Sequence, residues 1–229
     1  MHHMPEAGPG RLAPGLALLL GLGLLLAQPA QAARVLALSG DVAIERGEST
    51  LPAVVGSRLR EGDQLRSGEN AEVFVRFDDG AKMVLRSASG LQVKTLRLKG
   101  PPASRQKTIR VLRGALRYIS SRAAVRSRVS FETSTATIGI RGTDIEIAVS
   151  EDAVDTDPAG TYLKVNSGAA TMEAVDGTLV EVDSGQIAYG GLPEVVPRGI
   201  GGKKRPAARK LEAGAAGLFK SGLLDSLMN

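Results

Sequence analysis

The chain has 229 residues with 43% hydrophobic and only 3% aromatic residues, so its core must be built from Val, Ile, Leu and Ala. It has no cysteine, which excludes a disulfide framework, a thiol nucleophile and a cysteine-based zinc site. Net charge is +5, but the charges are unevenly spread along the chain, as described below.

Residues 1–32 read as a secretory signal. Arg11 is followed by an apolar run from Leu12 to Ala27, and Ala30-Gln31-Ala32 offers small residues where signal peptidase inspects the chain. The alternative is a retained anchor, but that run is shorter than the roughly 20 residues that span a bilayer. Cleavage near Ala33 removes His2 and His3, the only histidines. The mature chain then lacks His, Cys and Trp, which rules out Ser-His-Asp and Cys-His catalysis and ordinary zinc sites. No cofactor or metal is expected, and the chain is read as not an enzyme.

From residue 33 to residue 189 the texture is short Val-, Ile- and Thr-rich runs broken by Gly and Asp-Gly. Val35–Leu38, Asp41–Glu45, Glu72–Phe77, Lys82–Leu85, Thr108–Leu112, Ala115–Ile119 and Thr143–Val149 are predicted strands. Val73, Val75 and Phe77 fall on one face of their strand, with Glu72, Phe74 and Arg76 on the other. Asp79-Gly80 and Asp176-Gly177 are hairpin turn signals. A strand–glycine–strand pattern recurs around Gly40, Gly114 and Gly168, as if the chain repeatedly turned the edge of a stacked sheet. The predicted fold class is all-β, an irregular β-roll or β-sandwich of many short strands. Residues 190–210 read as a Gly/Pro-rich basic linker with Lys203, Lys204 and Arg205, and residues 211–229 as a short amphipathic helix. That tail either touches a membrane surface or partner, or folds back on its own domain.

Ala81 to Phe131 holds 13 basic residues and no acidic one, whereas Asp144 to Glu194 holds eleven acidic residues and only Lys164. Three readings stay open: a basic surface for anionic envelope polymers, ion pairs between neighbouring strands, or head-to-tail association. If a binding face exists, Arg110, Arg113 and Arg117 are its candidates, although the Gly114 corner lets it split between faces. Nucleic acid is a poor partner, because export removes the chain from it and no aromatic platform is present. Glu151, Asp152, Asp155 and Asp157 match no standard calcium loop and read as a solvated turn.

Two stretches carry a family likeness. Gly62-Asp63-Gln64-Leu65-Arg66-Ser67-Gly68, followed by Phe77-Asp78-Asp79-Gly80, is one; Thr133-Ser134-Thr135-Ala136-Thr137-Ile138-Gly139-Ile140-Arg141-Gly142-Thr143-Asp144 is the other. Together they resemble the FecR domain, with Ser67 and Ser134 in place of the usual threonine and proline, over roughly Val35 to Tyr189. The resemblance implies a periplasmic all-β domain that senses or binds other proteins without catalysis. In the regulators that name the family, that domain receives a signal from an outer-membrane receptor. The short stretch ahead of the apolar run is too small for a sigma-binding domain, so a stand-alone exported member is expected.

Gly62, Asp63, Gly68, Asp79, Gly80, Gly139, Gly142 and Thr143 are expected to serve structure. Arg141 is either buried on backbone carbonyls or a ligand anchor. The functional expectation is a binding or scaffolding module of the envelope that recognises a protein or an anionic polymer. The alternatives are an accessory signalling component docking on a membrane sensor and, last, a glycan hydrolase using carboxylates among Asp63, Asp78, Asp79 and Asp144.

Overall fold

The computed structural model describes residues 33–121, 127–154, 157–192, 206–211, 216–219 and 222–228. The signal segment and the basic cluster Lys203-Lys204-Arg205 lie outside them. In chain order the strands are β1 (Ala33–Ser39), β2 (Val42–Arg46), β3 (Ser49–Pro52), β4 (Arg58–Leu59), β5 (Gln64–Ser67), β6 (Glu72–Phe77), β7 (Lys82–Leu85) and β8 (Gly90–Arg97). They continue with β9 (Gln106–Ile119), β10 (Arg128–Glu132), β11 (Ala136–Ser150), β12 (Gly160–Ala174), β13 (Leu179–Asp183), β14 (Ile187–Gly190) and β15 (Ala208–Leu211).

These strands form one mixed sheet folded over into two layers. The first layer runs β13, β12 (169–174), β11 (136–141), β10, β9 (106–113), β8, β5, β2, β3. The second runs β15, β14, β12 (160–167), β11 (144–150), β9 (114–119), β7, β6, β1, β4. Only the β9–β10 pair is parallel among these. The long strands β9, β11 and β12 belong to both layers. They bend at Gly114, Gly142 and Gly168, and the β1–β2 corner bends at Gly40, all with positive φ.

The recurring strand–glycine–strand pattern is therefore the device that folds the sheet over. Bends replace loops at the layer edge, so backbone hydrogen bonding continues around the corner. Inward residues of both layers form one buried cluster, with Val42, Leu65, Val93, Ile109 and Phe131 from the first and Val35, Val75, Met83, Tyr118 and Ile147 from the second. Tyr118 bridges the layers, its ring edge-on to Phe131 at 5.2 Å and to Phe77 at 6.0 Å.

The tail is not an amphipathic helix. Part of the expected linker forms edge strand β15, and the described residues beyond it make two 3₁₀ turns, Ala216–Leu218 and Leu223–Leu227. A five-residue turn cannot sustain itself; contacts with the outer face of the second layer hold it instead. Among the described residues no helix is long and apolar enough to cross a membrane.

Candidate functional site

The motif carboxylates are committed to the fold. Asp63 follows Gly62 in a tight turn, and its side chain is 2% exposed. It receives Arg46 in a two-pronged pair, from Nε at 2.8 Å and Nη2 at 2.7 Å, and accepts the Arg60 N–H at 2.8 Å. That pairing raises the Arg46 pKa, chiefly through the hydrogen bond it donates to Asp63. Gly68 serves close approach rather than an unusual φ: its N–H donates to the Asp41 carbonyl at 2.9 Å, and its own carbonyl accepts from Ala71 and Ala88.

Asp79, beside Gly80, accepts the Ala81 N–H and takes the Lys107 ammonium at 3.1 Å inside the sandwich. Lys107 is fully buried, also donates to the Tyr118 hydroxyl at 2.9 Å, and sits 3.8 Å from the Phe77 ring centroid. Burial lowers its pKa to about 8, with Asp79 opposing the shift. Gly139 lies so close to Thr171 that a Cβ there would stand 2.9 Å from its hydroxyl. Thr143 is buried beyond the Gly142 bend, and its carbonyl accepts the Ser120 N–H at 2.8 Å.

The three candidate arginines do not form one surface. Alternation along β9, together with the bend at Gly114, sends Arg110 to the outer face of the first layer and Arg117 to the outer face of the second. Arg117 is bound to Asp144, with Nε at 3.0 Å and Nη2 at 2.7 Å, and that hydrogen bonding raises its pKa. It is a structural cation and not a free ligand anchor. Arg110 reaches Glu132 at 3.1 Å, and Lys94 reaches the same carboxylate oxygen at 2.7 Å. The Glu132 pKa is lowered by the Lys94 hydrogen bond first and then by Arg110. Arg113 is exposed at the corner itself. Among the described residues, Arg86, Lys94, Lys107, Arg110 and Arg117 of the basic segment have carboxylate partners, and of these pairs only Arg117–Asp144 joins the basic segment to the acidic one.

Arg141 is exposed, not buried on carbonyls, and it lines an open depression. This groove, about 730 Å³, crosses the outer face of the first layer. Strand register brings small outward residues into one row there: Ser130 opposite Gly139, Gly139 opposite Thr171, and Arg141 opposite Ala169. Missing side-chain volume makes the hollow. Arg128 and Arg141, each one residue past the Val129–Ile140 pair, border one side, and Glu181 and Asp183 of β13 border the other. Among the described residues, neither Arg128 nor Arg141 has a carboxylate within 4.0 Å. Such a hollow can take a ligand that carries both an anionic group, for the two guanidiniums, and hydroxyls or amines, for the two carboxylates. Arg128 was not singled out in the sequence; its partners in the groove, from Gly139 to Asp183, stand on other strands distant along the chain, and only register reveals them.

Among the described residues no three His, Asp or Glu side chains are grouped to hold a metal ion. Glu151 and Asp152 are exposed, Asp157 pairs with Val154 through the backbone, and Asp155 lies outside the described residues.

Residues 63–171 match the family model described as FecR protein. Two crystal structures of a "putative anti-sigma factor" from Parabacteroides distasonis ATCC 8503, at 1.65 and 2.50 Å resolution, are similar at a TM-score of 0.44 and 10% identity. The likeness covers 56% of this chain and 54% of that one, so the chain spans about half the length of these relatives. A comparison with curated proteins finds no significant match. The family match opens on Asp63 and takes in the Asp79–Lys107 pair, the Gly114 and Gly142 bends and one side of the groove, whereas β1–β4, which complete the same two layers, lie ahead of it. Residues 63–171 of this chain are a FecR domain.

Proposed function

We propose that the protein is a non-catalytic binding module of the bacterial envelope, and that its groove on the first layer receives an anionic, hydroxyl-rich polymer such as a phosphorylated or acidic glycan. The observation that carries this reading is the pair Arg128 and Arg141, exposed and without carboxylate partners among the described residues, above a floor of Ser130, Gly139 and Ala169. Two cations side by side on adjacent strands suit a phosphate or carboxylate, and the facing Glu181 and Asp183 suit sugar hydroxyls. The reading of residues 1–32 as a secretory signal supports an envelope location. Three of the four candidate acids support a non-catalytic reading: Asp63, Asp79 and Asp144 each hold a structural cation.

The test is binding of the purified protein to lipopolysaccharide and to acidic glycans across a salt series. Binding that weakens with salt and falls at least tenfold in Arg128→Ala/Arg141→Ala supports the reading. Binding unchanged in that variant overturns it. A second reading, in which the module relays a signal by docking on a membrane sensor, draws on the FecR match; co-purification with such a sensor would favour it.

A further inference from the structure

The outer face of the second layer is covered by the chain's own distal residues. Leu218 and Phe219 pack on the cluster of Ala148, Tyr162 and Tyr189, while Leu224 and Met228 pack on Phe74 and Val84. The polar contacts are specific. The Leu224 N–H donates to Glu72 at 2.9 Å, Asp225 takes Arg86 at 2.6 Å and stands 3.8 Å from Arg117, and Lys82 donates to the Met228 carbonyl at 3.1 Å.

Two features mark this cover as an imperfect ligand of the face and not as part of the core. A cavity of about 430 Å³ stays open beside it, bordered by Glu72, Arg86, Ala115, Glu146, Leu218 and Phe219. Arg86 is buried with its Nη1 unsatisfied: that nitrogen makes no hydrogen bond and stands 3.7 Å from Glu72. A buried guanidinium left one partner short beside an unfilled hollow is a costly arrangement. The covering residues 222–228 make no strand pairing, and Leu223 and Leu227 are 73% and 41% exposed. Segments held this lightly open at low cost.

We propose that this face is a docking site for a protein partner's segment that presents an acidic residue flanked by large apolar ones, and that residues 216–219 and 222–228 occupy it when the partner is absent. The pattern is read from the occupant: Leu224, Asp225, and Met228 one turn later. The partner's larger apolar groups fill the cavity beside Phe219, and its carboxylate takes Arg86 as Asp225 does.

The probe is a labelled peptide of residues 216–228, titrated into the full chain by fluorescence anisotropy. Asp225→Lys releases the cover, so this variant binds the peptide at least tenfold more tightly than the unaltered chain. Arg86→Glu alone repels both the cover's Asp225 and the peptide's aspartate and so does not bind the peptide, whereas a peptide with Lys in place of its aspartate binds that variant, which separates lost recognition from lost folding. Equal binding by the unaltered chain and Asp225→Lys, or no binding by an Asp225→Lys variant that melts normally, overturns the proposal. So does an Asp225→Lys variant that pairs with itself in preference to the peptide, because the face would then belong to a second copy.

Discussion

Lys107 and Asp79 meet inside the β-sandwich at 3.1 Å, their side chains 0% and 4% exposed. The pair sits where β9 passes the β6–β7 turn, so it ties the FecR turn motif to the strand that serves both layers. Removing one partner strands the other charge away from water. Lys107→Met is expected to lower stability by about 3 kcal/mol, and Asp79→Asn in that background to recover part of the loss. Chemical denaturation of the four variants measures the coupling.

The same pair sets a pH dependence. The Lys107 pKa falls from 10.5 to about 8 on folding, so between those values the unfolded chain holds more protons than the folded one. Stability therefore rises with pH from about 8 until tyrosine ionisation intervenes near 10. There the sign reverses, because burial raises the Tyr118 pKa well above its ordinary 10.0 and only the unfolded chain ionises readily. Melting temperatures at pH 7, 8, 9 and 10 check this, and Lys107→Met should remove the rise between 8 and 10.

The glycines with positive φ are not equivalent. At Gly114, φ is +75° and a Cβ would lie 2.7 Å from the Ser89 Cα, so alanine meets both backbone strain and backbone atoms. At Gly177, φ is +80° but nothing lies within 4 Å. Gly177→Ala should cost about 1 kcal/mol, the left-handed penalty alone, and Gly114→Ala roughly 3 kcal/mol or more. Thermal melts of both variants decide whether the bend at Gly114 is required for the fold.

Asp63 offers a test against catalysis. Asp63→Ala leaves Arg46 and the Arg60 N–H without their acceptor and should cost about 2 kcal/mol. Polymer binding at a temperature where the variant is folded should be unchanged, since Asp63 does not border the groove. Loss of a glycan-cleaving activity in that variant would show the hydrolase reading to be right.

Much of the architecture was legible along the chain because it is local. Val73, Val75 and Phe77 alternate inward as their spacing requires, and Gly40, Gly114 and Gly168 mark the corners. What was not legible depends on contacts distant in sequence. Phe74 alternates outward yet is 5% exposed, because Leu224 and Met228 cover it. Thr108–Leu112 and Ala115–Ile119 read as two strands but form one, since the Gly114 bend keeps its ladder paired. A lysine in the middle of a strand gives no sign of burial unless its partner 28 residues away is known to face it. The tail's leucines recur at helical spacing, but Gly217 and Gly222 and the docking contacts favour short turns. The groove exists only through register, which aligns Ser130, Gly139 and Thr171 from three strands.

Hydrogen exchange of the full chain with and without a saturating acidic glycan tests the central claim most directly. The account predicts added protection at residues 128–130, 139–141 and 169–171, with none at 82–86 or 114–117. Protection confined to the second layer, or to the corner around Arg113, would contradict it.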